Sequence, residues 1–181
     1  MKDNGILGWN KGIRIFSVFA LSMLLLTSCG PNREKQIQLI EEHEQSLSTL
    51  DMNTEDDAFN ELIALYRGFA NSFPNDSLAP VYLMRAADAC ISTGQQDQAV
   101  TLLDTIIDLY PGFEDLGGCW FLKGLAYETA EQFDSAREAY TYFVTNYPEH
   151  YLASDTRKTL PYLGMTAEEM FEAIMGAAAQ E

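Results

Sequence analysis

Basic residues are scarce in this 181-residue chain, which has 11 Lys and Arg against 27 Asp and Glu. Nucleic-acid binding depends on neutralising phosphates with Lys and Arg, so a formal net charge of −16 excludes nucleic acid as an expected partner. The same balance opposes flat adsorption to an anionic lipid surface. It favours either a highly soluble surface or a surface that receives a basic partner.

Motifs that carry catalysis or hold a metal ion are also missing. The sequence has no GxSxG, Walker loop, HExxH motif or CxxC pair. His43 lies in the acidic stretch Glu41–Glu44, and a closed metal site needs three or four convergent ligands. We therefore interpret this stretch as solvated helix surface. The sequence predicts a non-catalytic protein with no cofactor and no metal.

No apolar run reaches the roughly 20 residues that a membrane-spanning helix needs. The longest run, Ile15–Leu26, has 12 residues and follows Lys2, Lys11 and Arg14. A basic start, a short apolar stretch and small residues at its end are typical of a secretory signal peptide. We assign residues 1–28 to this signal.

The signal ends in Leu26-Thr27-Ser28-Cys29, which resembles the lipobox of bacterial lipoproteins. In that family the cysteine is acylated and becomes the first mature residue, so the resemblance makes Cys29 the lipidation site and 29–33 a lipidated tether. Each buried acyl methylene contributes roughly 0.8 kcal/mol to membrane anchoring. Gly30 replaces the aspartate that retains some lipoproteins in the inner membrane. The resemblance therefore implies an outer-membrane anchor and a periplasm-facing domain.

The mature chain would keep 8 basic and 26 acidic residues, a net side-chain charge of −18 over 153 residues. That length fits one domain with a sizeable core. Cys90 falls near the end of one helical pattern and Cys119 near the start of the next, and a stack of helical repeats would hold these two helices roughly parallel. Their offset, on the order of 12 Å, is too long for a disulfide, so we predict two free thiols.

An aromatic–proline pair recurs every 37 residues, at Phe73-Pro74, Tyr110-Pro111 and Tyr147-Pro148. Large residues recur five positions before each proline, at Phe69, Ile106 and Phe143, and eight positions before it, at Tyr66, Leu103 and Tyr140. Offsets of three and four place these residues on one face of a helix. A fixed period of this size indicates a stacked helical array.

Small residues recur with the same period, at Ala87 and Gly124 and again at Ala99 and Ala136. They allow two helices to pack closely, and proline ends the second helix because it lacks an amide hydrogen. Units 80–113 and 117–150 resemble the tetratricopeptide repeat, a helix-turn-helix of 34 residues. The resemblance implies an all-α, short right-handed superhelical array over residues 34–181, with degenerate helices at both ends.

The flanking segments are expected to cap this array, because an open end exposes core. Glu34–Leu50 is predicted to be a helix with Ile37, Ile40, Leu47 and Leu50 on one stripe. Thr54 with Asp57, and Thr166 with Glu169, are predicted capping boxes. Residues 151–160 are expected to form a helix that Pro161 ends.

The sequence also resembles the periplasmic branch of this family, which includes BamD-like and YbgF-like proteins. The resemblance rests on the large residues before Phe-Pro or Tyr-Pro and on the motif Pro-Glu-His-Tyr-Leu-Ala at 148–153. This resemblance implies a scaffold that binds protein partners in outer-membrane or envelope assembly. A YbgF-like coordinator of cell-wall synthesis with division is the alternative. A small-ligand or glycan-binding lipoprotein is a third reading.

In tetratricopeptide proteins the first helices line the concave, partner-binding face. The resemblance transfers this role to Val81, Met84, Asp88, Ile91, Phe121, Leu125 and Glu128. Five of these seven residues are apolar, and large exposed apolar patches are uncommon unless they are functional. Either the face is open to a protein or peptide partner, or the chain's own terminal helices cover it.

Replacing the proposed lipid acceptor tests the anchor. We expect Cys29→Ser to abolish fatty-acid labelling and to leave the protein as uncleaved precursor or free of membranes. Metabolic labelling with a fatty acid, with Cys90→Ser as the matched control, measures this. Equal labelling of wild type and Cys29→Ser would contradict the lipobox reading.

Overall fold

The computed structural model describes residues 31–47 and 55–178, and all regular structure in these ranges is helical. The predicted all-α fold is therefore confirmed. Cys29, Leu50 and Thr54 lie outside the described residues. The helices are α1 (Arg33–Leu47), α2 (Glu55–Ser72), α3 (Leu78–Ser92), α4 (Gln96–Leu109), α5 (Leu116–Thr129), α6 (Phe133–Asn146), α7 (Ala153–Thr159), a 3-10 turn (Leu160–Tyr162) and α8 (Ala167–Ala178).

Consecutive helices pack against one another from α1 to α7, and α3 also touches α5. This is the contact pattern of stacked helical hairpins, in which each unit meets only its neighbours. The hairpins are α1–α2, α3–α4 and α5–α6. The described residues from Arg33 to Ala178 belong to one compact unit. Among the described helices, none is both long and apolar enough to span a bilayer.

The positions that set the 37-residue period form the core. Phe69, Ile106 and Phe143 are completely buried, five residues before their prolines. Ala99 and Ala136 are also completely buried, as predicted for small residues at a helix contact. The helical face read from the sequence is therefore the face that packs.

The second small position makes the closest helix contact. A Cβ atom added at Gly124 would lie 2.5 Å from two ring carbons of Tyr140, closer than real side chains approach. One period earlier, Ala87 and Leu103 occupy the same two positions, and both are buried. The large tyrosine ring thus requires glycine at this position, whereas the smaller leucine of the preceding repeat is paired with alanine.

Helices α3 and α5, each the first helix of its hairpin, end in the same type of turn. The amide of Gln95 donates to the carbonyl of Cys90, and the amide of Gln132 donates to the carbonyl of Tyr127. Such 6→1 bonds place the intervening residue in the left-handed region. That residue is Gly94 (φ +74°) in one repeat and Glu131 (φ +58°) in the next. Glu131 adopts this conformation at a steric cost that glycine avoids.

The amino-terminal flank closes the array as predicted. Ile40 is completely buried, while Ile37 and Leu47 pack at the edge of the core. Arg33 at the start of α1 forms a salt bridge with Asp76 before α3. Helix α1 is therefore held on the array by both apolar packing and a salt bridge.

The carboxyl-terminal flank matches the expectation only in part. The helix expected over 151–160 is α7, which ends at Thr159, and Pro161 follows it inside the 3-10 turn. Proline is tolerated in this first turn, where its missing amide hydrogen is not needed. The Thr166–Glu169 capping box is present, with reciprocal bonds of 2.8 and 3.3 Å between side chains and amides. However, α8 packs extensively against no other described helix, so its expected capping role is wrong.

Cys90 and Cys119 are free and completely buried, each in its own first helix. Burial raises the pKa of the Cys119 thiol to about 12, with a smaller contribution from Asp115. Both residues therefore behave as small buried hydrophobes, as predicted.

Two glycine-to-alanine variants test the close contact, because they are expected to change the free energy of unfolding in opposite directions. Gly124→Ala is expected to lower the free energy of unfolding by about 1–3 kcal/mol, because the new methyl group overlaps the Tyr140 ring. Gly68→Ala in α2 is the control, because nothing lies within 4 Å of its Cβ position. It should raise the free energy of unfolding by up to about 1 kcal/mol through helix propensity. Chemical denaturation measures both.

Adding Tyr140→Leu to Gly124→Ala recreates the Ala87–Leu103 pair of the preceding repeat. The double variant should then cost less than the sum of the two single variants. Strict additivity would contradict direct coupling between these two positions.

Candidate functional site

The first helices α1, α3 and α5 present one face of the array, which we call the first-helix face. A cleft of about 400 Å³, the central cleft, lies between α3 and α5. Val81, Met84, Arg85 and Asp88 of α3 line one side, and Phe121 and Leu122 of α5 the other; Phe113, Asp115, Gly118, Tyr151 and Leu152 complete it.

A second cleft of about 630 Å³, the distal cleft, lies between α5 and the carboxyl-terminal segment. Phe121, Leu125 and Glu128 of α5 form one wall. The opposite wall comes from α7, the 3-10 turn and the start of α8. Its residues are Thr156, Thr159, Leu160, Tyr162, Leu163, Gly164, Met165, Thr166 and Met170, and Phe133 and Tyr140 of α6 also contribute.

Phe121 lines both clefts and forms the ridge between them. Its ring packs 5.7 Å from the ring of Tyr140 and 5.7 Å from that of Phe143. Since Phe143 is completely buried, these contacts tie the ridge to the core. The two clefts therefore share a rigid aromatic wall.

Tyrosine–carboxylate pairs border the first-helix face at the first and third hairpins. The Tyr140 hydroxyl donates to Glu128 over 2.6 Å, and the Tyr66 hydroxyl donates to Glu44 over 2.7 Å. Burial, with the hydrogen bond to Glu128, raises the pKa of Tyr140 far above its usual value. The phenol therefore remains a proton donor, and it fixes one oxygen of the carboxylate beside the distal cleft.

The middle hairpin replaces this polar pair with an apolar one. One period before Tyr140 and Glu128 stand Leu103 and Ile91. Leu103 is completely buried, and Ile91 packs against the same core. Ile91 was predicted to bind a partner; the structure packs it against the core, and it lines neither the central nor the distal cleft.

Acidic side chains dominate the charge of the two clefts. Asp88 and Asp115 line the central cleft and Glu128 the distal one. Arg85 is the only cation among the lining residues, and it is paired with Glu44. Asp115 accepts from the amide of Gly118 at the start of α5 and lies 3.2 Å from His150. The clefts thus combine apolar walls with a negative rim.

The structure brings most of the predicted binding residues together. Val81, Met84, Asp88 and Phe121 meet in the central cleft, while Phe121, Leu125 and Glu128 meet in the distal cleft. Sequence reasoning missed the opposite walls, which come from turns and from residues 160–170. Tyr151 and Leu152 belong to the quoted motif at 148–153, the one sequence signal that could have pointed to them.

The two expected states of this face, open or covered, are both incomplete descriptions. The carboxyl-terminal segment forms one wall of the distal cleft but does not fill the cleft, which has a volume of about 630 Å³.

In the described residues, no group of three or more His, Cys, Asp or Glu is arranged to hold a metal ion. Glu44 bonds Tyr66 and Arg85, and His43 contacts the carbonyl of Leu39.

Truncating the shared ridge and its neighbour separates packing from an open surface. We expect Phe121→Ala to lower the free energy of unfolding by roughly 2 kcal/mol, about half the figure for a fully buried phenylalanine. Leu125→Ala should change it by less than about 1 kcal/mol, because Leu125 faces the cleft. Thermal and denaturant melts measure both, with Phe143→Ala as the fully buried reference. Equal costs for Leu125→Ala and Phe143→Ala would show that the distal cleft is closed core.

Comparison with known proteins identifies the repeats. A tetratricopeptide repeat family model matches residues 82–112 and 119–150, which are the second and third hairpins. A search of curated proteins and a search of solved structures give no match. The second and third hairpins of this helical array thus match tetratricopeptide repeats, a fold that typically serves as a protein-interaction scaffold.

Proposed function

We propose that this chain is a non-catalytic, lipid-anchored scaffold that holds a protein partner on its first-helix face during outer-membrane or envelope assembly. The observation that carries the proposal is the pair of clefts joined by Phe121. Two adjoining apolar pockets separated by a rigid ring suit an extended or helical segment that inserts one side chain into each.

The envelope location rests on the lipobox-like sequence ending at Cys29. In this proposal, acylation fixes the chain to the outer membrane and leaves the repeats in the periplasm. A tethered scaffold meets membrane-bound partners at raised effective concentration, so modest groove affinity suffices. The acidic surface keeps the repeats from adsorbing to anionic lipid.

Site-specific photo-crosslinking in intact cells tests this function. A photoreactive residue at Leu125 is expected to capture an envelope protein, because this position faces the distal cleft. The matched control is Thr141, an exposed position of α6. Capture at Leu125 should exceed capture at Thr141 and should fall when Cys29→Ser removes the anchor.

The captured protein decides between the two envelope roles. Barrel-assembly proteins support assembly of the outer membrane, and wall synthases or Tol-Pal proteins support a YbgF-like role. Equal capture at Leu125 and Thr141, or no protein adduct at Leu125, contradicts the scaffold proposal.

A further inference from the structure

Helix α8 presents an apolar face that no other described helix covers. Phe171 is 65% exposed and Met175 55%, and Met170 and Ile174 are also exposed. Their spacing of three and four residues places them along one side of the helix. Met165 and Met170 also line the distal cleft. The apolar face of α8 is therefore continuous with the wall of the cleft.

The start of α8 is fixed in place next to the cleft. Arg137 of α6 donates to the carbonyls of Leu160 and Leu163 over 3.0 and 3.1 Å. Gly164 then turns the chain with φ +81°, against the ring of Phe133. A helix of twelve residues is only marginally stable in water without packing. A partner that covers the apolar face of α8 would thus stabilise the helix in its present position.

Charge decides what kind of partner this surface accepts. Glu168, Glu169 and Glu172 follow the capping position of α8, and Glu128 lies in the cleft. Neither α8 nor the lining of the distal cleft contains a Lys or Arg. A second copy that docked through the same helix and cleft would place equally acidic surfaces against each other, and an anionic bilayer would be repelled in the same way. Complementarity requires a basic partner.

Glu168 lies at the edge of the apolar face, because Phe171 and Met175 follow it by three and seven residues on the same side of the helix. A bound segment would therefore meet carboxylates on both walls, Glu128 on α5 and Glu168 on α8. Apolar side chains between the walls and cations toward the carboxylates describe an amphipathic, basic segment.

Resting on the proposed scaffold function, we propose that the distal cleft and α8 together clasp one basic amphipathic segment of a protein partner. The apolar side chains of that segment pack between Leu125 and Met170. Its Lys or Arg side chains pair with Glu128 and Glu168. The carboxyl-terminal helix is then the second wall of the binding site.

Photo-crosslinking from both walls of the full chain in intact cells tests this clasp. Photoreactive residues at Ile174 in α8 and at Leu125 in α5 are expected to capture the same protein. Mass spectrometry of the two adducts should locate them in one stretch of that protein, with net positive charge and apolar residues at helical spacing. Thr141 remains the exposed control.

Charge variants complete the experiment. Glu128→Gln retains an acceptor for the Tyr140 hydroxyl, and combining it with Glu168→Gln removes one negative charge from each wall. This double variant is expected to lower both adduct yields by about threefold or more, in proportion to the lost ion pairing. Asp108→Asn with Glu138→Gln, two exposed carboxylates of α4 and α6, is the matched control and should leave the yields unchanged.

The outcomes separate the clasp from the scaffold function. Capture at Leu125 without capture of the same protein at Ile174 overturns the clasp and leaves the scaffold intact. Adducts of Ile174 with lipid or with a second copy also overturn the clasp, as does a neutral or acidic captured segment. Unchanged yields in the Glu128→Gln, Glu168→Gln variant overturn the role of charge. No protein adduct at either position overturns both proposals.

Discussion

The second and third helical pairs close where a small side chain on the first helix faces a large one on the second. Gly124 opposite Tyr140, and Ala87 opposite Leu103, are two solutions of the same volume constraint. Interiors pack to nearly crystalline density, so the size of one partner dictates the size of the other. Since this contact sets how α5 lies on α6, it also sets where Phe121 stands between the two clefts.

The choice of tyrosine over leucine at this contact also affects which residues lie at the surface. A tyrosine hydroxyl that is removed from water needs an acceptor, and an unpaired one would cost about 1–3 kcal/mol. Glu128 and Glu44 supply that acceptor at the border of the first-helix face. The middle pair carries Leu103, needs no acceptor, and has Ile91 instead. Part of the negative charge on this face is therefore a consequence of core packing.

The two ends of the array are finished differently. At the amino-terminal end, α1 buries Ile40 and is fastened by Arg33 to Asp76. At the carboxyl-terminal end, α7 and the 3-10 turn pack on α6, but α8 leaves its apolar residues exposed. A stacked array offers each further layer the same kind of surface as the last. A partner segment on α8 and the distal cleft would take the place of that further layer.

The sequence by itself determined the all-α fold, the 37-residue register and the core positions, because a strict period of large and small residues permits only one helical face to be buried. It also located Val81, Met84, Asp88, Phe121, Leu125 and Glu128 on the first helices. Tertiary structure alone decided the opposite walls of the clefts, since Tyr151 and residues 160–170 reach them through turns that carry no period. It likewise decided that Glu131 takes the left-handed turn position held by Gly94 one repeat earlier. A local pattern records which residues share a helix face, whereas the path of a non-repeating segment depends on long-range contacts such as those of Arg137 with Leu160 and Leu163.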